Sequence, residues 1–240
     1  MTRLYWLGAQ DDDEPFPDVA LALREPNGLL AAGGSLSPHR VLKAYRLGIF
    51  PWYSVGQPIL WWSPDPRAVL YPPSLHISRS LAKTLRKGEY TVSFDQAFAE
   101  VIRQCAQPRA DGGGTWLTEE MIDAYCHLHR LGHAHSVETW HQGTLVGGLY
   151  GIAIGQVYFG ESMFSRRRDA SKVAFAQAVI QLRECGYRLI DCQVASNHLS
   201  QFGATLVPRR EFIAQLKQWC EHNAPCSPWP TTPAQDSQHE

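Results

Sequence analysis

Residues 134–161 read AHSVETWH-QG-TLVGGLYGIAI-G-QVYFGE, and the fold turns on them. Three apolar, β-prone runs, Ala134–His141, Thr144–Ile154 and Gln156–Glu161, are separated only by Gln142-Gly143 and by Gly155. Connections of one or two residues leave no room for a crossover, so the three runs pair as an antiparallel meander. Beyond them, residues 171–185 are apolar on two sides, with Val173, Ala176 and Ile180 on one and Phe175, Val179 and Leu182 on the other. Such a helix is expected to be enclosed. A strand over 188–194 and a helix over 208–220 follow.

Before the meander, Arg67–Tyr71 reads as a strand and Ser78–Lys87 as a helix stopped by Gly88. In 89–94, Tyr90, Val92 and Phe94 alternate with polar residues, the period of a half-buried strand. Asp95 is placed to cap a helix carrying Phe98, Val101, Ile102 and Cys105, and after Gly112-Gly113-Gly114 a helix over 118–131 carries Met121, Tyr125 and Leu128 on one face. Helix pair, meander, strand–helix–strand and final helix resemble the order of an N-acetyltransferase-type (GNAT-like) mixed sheet. The expected class is therefore α+β, and fold analogy alone does not assign a function.

Residues 1–65 are rich in Pro and Gly, with little regular structure expected. Their clearest element is a helix with Ser37 as cap, Pro38 at its first position and Gly48 at its stop, followed by a short strand, Ile59–Trp62. The rigid Ser63-Pro64-Asp65-Pro66 link suggests three parts: a small N-terminal domain over 1–65, a catalytic domain over 66–223, and a disordered Pro/Ser/Thr/Gln tail over 224–240. In a chain of 240 residues, 44% hydrophobic and 19% charged, a sizeable core is expected. No apolar run approaches the ~20 residues of a membrane span, and the acids at 11–14 interrupt any leader-like start. The six cysteines form no CxxC pair, so reduced thiols and a cytoplasmic setting are expected.

The formal charge of −1 hides a division along the chain. Residues 1–30 carry a net −4, 211–240 a net −3, and 31–210 a net +6, with clusters at Arg79, Lys83, Arg86 and Lys87, at Arg166-Arg167-Arg168 and at Arg209-Arg210. A middle of that sign can steer a polyanion, or it can be an ordinary solvated face. On the strand 189–194, Asp191 and Gln193 share one side while Ile190, Cys192 and Val194 share the other. The same parity aligns Phe159, Glu161 and, if the strand runs on, Met163. Two acids on apolar strands are either catalytic or structural, capping helices or pairing with an arginine such as Arg167. Trp52 and Trp116, on loops, suit either core packing or base stacking. His127, His129, His133 and His135 do not converge on a helix and no HExxH occurs, so no metal is expected. Neither a P-loop nor a GxSxG elbow is present, so neither ATP use nor a serine nucleophile is expected.

Six blocks, residues 25–30 (EPNGLL), 48–52 (GIFPW), 61–67 (WWSPDPR), 132–136 (GHAHS), 160–165 (GESMFS) and 189–193 (LIDCQ), together resemble the leucyl/phenylalanyl-tRNA–protein transferases. The resemblance covers roughly residues 20–215 and implies an enzyme without cofactor. It would transfer Leu or Phe, in some members Met, from aminoacyl-tRNA to the α-amine of proteins starting with Arg or Lys, creating a degradation signal. It implies Glu161, Asp191 and Gln193 as the polar centre and Trp52 and Trp116 as the clamp on the terminal adenosine of tRNA. Met163, Leu149, Phe159 and Ile190 are the expected side-chain pocket, Leu149 standing where the family pattern implies methionine. Arg79, Lys83, Arg86 and Lys87 are the expected tRNA phosphate contacts, and nothing requires more than a monomer. Two competing readings stay open. One is an acyl-CoA-dependent N-acetyltransferase, which normally needs glycines in a turn that here reads Ser165-Arg166-Arg167-Arg168-Asp169-Ala170. The other is a tRNA-binding module without catalysis.

Overall fold

A computed structural model of the chain describes residues 4–108 and 117–230. The N-terminal part holds β1 (Tyr5–Leu7), β2 (Leu29–Gly33), α1 (Pro38–Arg46), β3 (Phe50–Pro51) and β4 (Leu60–Trp62). Its strands form a sheet in the order β1-β2-β4-β3, so this region has more regular structure than its Pro and Gly content suggests. β4 is the expected strand, whereas β1, β2 and β3, of two to five residues, carry too little periodicity to be read from sequence, and pairing between distant segments creates them.

The second part contains β5 (Arg67–Leu70), α2 (Arg79–Lys87), β6 (Thr91–Phe94), α3 (Phe98–Cys105), α4 (Glu119–Arg130), β7 (Ala134–His141), β8 (Thr144–Ile154), β9 (Val157–Ser165), α5 (Ala170–Glu184), β10 (Leu189–Gln193), α6 (Asn197–Ser200), β11 (Thr205–Val207) and α7 (Arg209–Trp219). Its seven strands run β11-β5-β10-β9-β8-β7-β6, and the fold is α+β. β7, β8 and β9 are the expected antiparallel meander, with Gln142 and Gly143 at φ +51° and +76° in the hairpin turn. α5 then crosses so that β10 lies parallel to β9. The chain's own oxygens cap the helices: Ser37 accepts from the Arg40 amide, Ser78 from Leu81 and Thr118 from Met121.

Both faces of the seven-stranded sheet are covered. On one, Phe98, Val101, Met121, Tyr125, Phe159 and Phe212 share a continuous cluster with Leu7, Tyr45, Ile49, Phe50 and Trp61 of the N-terminal part. On the other, α5 buries Val173, Phe175, Ala176, Val179 and Leu182 against Leu149, Tyr158 and Ile190, as its two apolar sides require. Close approach of α5 to β8 depends on Gly147, where a Cβ would lie 2.6 Å from that of Ala170.

Three expectations are corrected. Asp95 does not cap α3. Its carboxylate accepts from the Ser136 amide and lies 2.7 Å from His135 Nδ1, while buried Glu138 takes the Gln96 and Ala97 amides at 3.4 Å. The expected tail also begins too early: residues 224–230 dock on the domain, with Trp229 buried and stacked 4.4 Å from His135, while 231–240 lie outside the described residues. Finally, the thiols are not all reduced, since Cys185 and Cys226 form a disulfide across 41 residues. Spacing alone could not reveal that pair, because only the folding back of the tail brings the two together.

Candidate active site

The site opens where β9 and β10 part. Their parallel pairing runs through Leu189–Val157, Ile190–Tyr158 and Asp191–Phe159 and stops there, while β9 continues to Ser165. At that level both strands are irregular. On β9 the partners of β8 jump from Gly151–Gly160 to Tyr150–Ser162, leaving Glu161 as the extra residue. On β10 the partners of β5 jump from Asp191–Val69 to Gln193–Ala68, leaving Cys192 extra. Bulges of this kind re-aim side chains. Between the diverging ends lies a cavity of about 560 Å³, at the carboxyl ends of parallel strands, where open α/β sheets bind ligands.

The bulge overturns the parity read along β9. Phe159 and Met163 fall on opposite faces because Glu161 interrupts the alternation between them. Leu149, Met163 and Ile190 line the cavity, the first two being direct cross-strand partners. Phe159 does not line it. Phe159 is buried on the other face, edge-on to Tyr45 at 5.1 Å, and so supports the site from beneath.

Glu161 ends the cavity's polar floor. Its Oε1 accepts from the Tyr45 hydroxyl at 2.6 Å and from Gln193 Nε2 at 2.8 Å, and its Oε2 from the Tyr125 hydroxyl at 2.8 Å. The two tyrosine oxygens lie 2.6 Å apart. Burial pushes the Glu161 carboxyl up to about 7, with the Asp191 charge adding to it and the donors from Tyr45, Tyr125 and Gln193 opposing it. Burial and the nearby Glu161 also raise both tyrosine hydroxyls well above their ordinary value, which keeps them protonated donors. Around this ring of three oxygen contacts, two hydroxyl protons are available when Glu161 is ionised and a third when it is protonated.

Asp191 is 0% exposed and engaged by a fork from Arg67, Nε to Oδ1 at 2.8 Å and Nη2 to Oδ2 at 2.6 Å. An arginine does pair with it, but from β5; Arg167 is exposed on the turn before α5. Asp191 is on the cavity lining, but with its carboxylate taken up by Arg67 it acts there through Gln193, accepting from the Gln193 backbone amide at 2.9 Å. Gln193 lines the cavity with φ +62°. Trp52, 43% exposed, stands on the lining beside Phe50, its ring 5.7 Å from that of Trp62, whose Nε1 donates to the Trp52 carbonyl. Trp116 lies outside the described residues.

Arg79, Lys83, Arg86 and Lys87 are exposed along α2, which packs on α5 through Leu81. The same helix touches the turn before α5 through Thr84 and Asp169. Asp95, His129 and His135 gather their ligand atoms within 4.8 Å. His129 Nδ1 meets the Ala134 carbonyl and His135 Nδ1 meets Asp95, so these atoms already serve each other and the backbone.

Arg67, Tyr45 and Tyr125 escaped the sequence reading as site residues. Tyr45 and Tyr125 sit on apolar helix faces, and the available signal was a hydroxyl facing a core that also receives an acid. Arg67 carried a signal too, a cation opening a strand of otherwise buried residues.

A family model described as leucyl/phenylalanyl-tRNA protein transferase matches residues 69–217, and one for the N-terminal domain of that transferase matches 34–65. The leucyl/phenylalanyl-tRNA–protein transferase of Stutzerimonas stutzeri (strain A1501) is 61% identical over 213 residues, 89% of this chain and 93% of that one. That of Chromobacterium violaceum is 56% identical over 225 residues, 93% of this chain and 95% of that one. Among solved structures, a GCN5-related N-acetyltransferase from Kribbella flavida aligns over 72% of this chain and 61% of its own, with a TM-score of 0.39 and 15% identity.

Proposed function

We propose, since the chain belongs to the leucyl/phenylalanyl-tRNA protein transferase family, that it moves leucine or phenylalanine from aminoacyl-tRNA onto the N-terminal α-amine of proteins beginning with Arg or Lys. The product N-terminus then serves as a degradation signal, and the setting is the cytoplasm, where charged tRNA is found. The observation that carries the reading is the cavity itself: an apolar wall of Leu149, Met163 and Ile190 facing a polar floor of Glu161 and Gln193, with an indole, Trp52, at its side.

An aminoacyl ester is already activated, so its aminolysis needs neither ATP nor a covalent enzyme intermediate. The acceptor α-amine has an ordinary pKa of ~7.7–8.0, leaving a fair share as free nucleophile at neutral pH. Holding amine and ester in line is worth ~7–11 kcal/mol in favourable cases, and that is the protein's main task. Ionised Glu161 receives the α-ammonium of the donor amino acid, and the apolar wall receives its side chain. The Gln193 side-chain nitrogen donates to Glu161, which leaves its carbonyl oxygen to orient the incoming amine. As the C–N bond forms, the amine proton leaves toward this polar floor and the tetrahedral oxygen is stabilised by nearby donors; the carbonyl then re-forms as the ester C–O bond breaks, and the tRNA ribose oxygen departs with a proton. Asp191, its charge engaged by Arg67, serves by holding the Gln193 backbone amide. An apolar pocket discriminates one methylene by only ~1–3 kcal/mol, so acceptance of both Leu and Phe, and of Met, follows.

Trp52 and Trp116 clamp the terminal adenosine, and Arg79, Lys83, Arg86 and Lys87 meet tRNA phosphates. Residues 66–223 act as the catalytic domain, and the monomer suffices. Against the acyl-CoA alternative, Ser165 Oγ takes up the Ser171 amide at the start of α5, and the Asp169 carboxylate sits there with Lys172 at 3.1 Å. A pyrophosphate would meet an acid in place of open amides. The test is to incubate the protein with leucyl- or phenylalanyl-tRNA and an Arg-starting peptide, then weigh the peptide. Gain of one leucyl or phenylalanyl residue is expected; an unmodified peptide would leave only a tRNA-binding module.

A further inference from the structure

Arg67 opens β5 wholly buried, and its guanidinium is directed into the site. Two nitrogens grip Asp191, and Nη1 donates to the Gly48 carbonyl at 3.2 Å. The rings of Phe50 and Phe212 lie over it with centroids at 4.8 and 4.7 Å, so its orientation is determined on every side. Planar, forked and stacked, it does what a lysine ammonium cannot.

Asp191 spends its remaining capacity on the Gln193 amide. That amide belongs to a tight turn in which the Val194 amide donates to the Cys192 carbonyl at 2.7 Å and Gln193 has φ +62°. This is the rare γ-turn form, strained for an L residue and kept only where its surroundings over-determine it. The turn sets where the Gln193 side chain leaves the backbone, and that side chain reaches Glu161. A buried carboxylate deprived of its cation takes up a proton or moves toward water, and either change weakens its hold on the amide.

We propose that Arg67 is a positioning residue of the transfer reaction, which through Asp191 holds the Gln193 turn and so aims the Gln193 amide group into the cavity. This rests on the transfer activity proposed above. The test is a double-mutant cycle in single-turnover transfer from phenylalanyl-tRNA to an Arg-starting peptide, with folding followed by circular dichroism. Arg67→Lys is expected to lower the transfer rate at least tenfold while KM for the charged tRNA stays within threefold. In a Gln193→Ala background the same substitution is expected to cost less than threefold, because the group it positions is gone. Asp191→Asn, which keeps the shape but not the charge, is expected to behave like Arg67→Lys in the same cycle. A parent-like rate in Arg67→Lys, or losses that multiply fully in the Gln193→Ala background, would overturn the proposal. So would unfolding of both Arg67→Lys and Asp191→Asn, since the pair would then be structural. Absence of transfer by the unaltered protein would instead sink the functional reading.

Discussion

At the scale of single residues, Glu161 is a carboxyl whose environment moves its titration into the neutral range. If its ionised form receives the donor's ammonium, affinity for a non-hydrolysable phenylalanyl-adenosine analogue should rise as pH climbs through about 7. Calorimetry across roughly pH 6–7.5, below the range in which the ligand's own α-amine loses its proton, checks this, and Glu161→Gln should lose that limb. Stability has the opposite sign. The folded-state value lies above the unfolded one, so the contribution is complete below the ordinary carboxyl range and is lost as pH rises through about 7. Thermal melts should show the parent losing ground to Glu161→Gln over that interval. Trp52 tests the clamp: stacking worth ~1–3 kcal/mol per base means that Trp52→Ala should raise the apparent KM for charged tRNA roughly tenfold, with kcat little changed. Equal KM values would remove Trp52 from the donor site. The identity of both residues could be read from sequence, but their surroundings could not. Tyr45 stands 116 residues from Glu161 and Tyr125 stands 36 from it, separations no local pattern spans.

At the scale of elements, α2 and the docked C-terminal segment make separate claims. If Lys83 and Arg86 meet phosphates, tRNA affinity should fall linearly in log–log form with salt, and Lys83→Ala/Arg86→Ala should flatten that slope by about two counter-ions. Filter binding between 50 and 300 mM salt (roughly the range where the effect is measurable) decides it, and an unchanged slope would free α2 from the interface. The Cys185–Cys226 bond and buried Trp229 fasten residues 221–230 against the second core cluster. Removing the cross-link by Cys226→Ser should cost about 2–4 kcal/mol in urea unfolding, and a dithiol reductant should have the same effect on the parent. Elements were the most legible level. α1, α2, α4, β7, β8 and α5 stand within a residue or two of where caps, glycines and periodicity put them, because those signals are local. The elements missed were β1, β2 and β3 in 4–65 and α6 and β11 in the larger part, together with the Glu138 contacts ahead of α3 and the docked tail; the strands and those contacts depend on partners far along the chain.

At the scale of the whole molecule, the two sheets are joined by one apolar cluster running from Trp61 and Tyr45 to Tyr125 and Phe212. Residues 66–230 alone should therefore lose cooperative unfolding and bind a hydrophobic dye, which near-ultraviolet dichroism and dye fluorescence would register; a sharp two-state melt of that fragment would contradict it. The sequence alone carried most of the order of strands and helices in the larger part, the family, and the identity of Leu149, Glu161, Met163, Ile190 and Gln193 among the cavity's residues. It could do so because turn chemistry, side-chain alternation and short motifs are written within a few residues of one another. Long-range contacts alone commit Asp191 to Arg67, open the sheet through bulges at Glu161 and Cys192, and turn Phe159 away from the cavity. The physical reason is one of range and count: an inserted residue reverses every side chain beyond it, and a buried charge takes its partner from whatever the fold brings near.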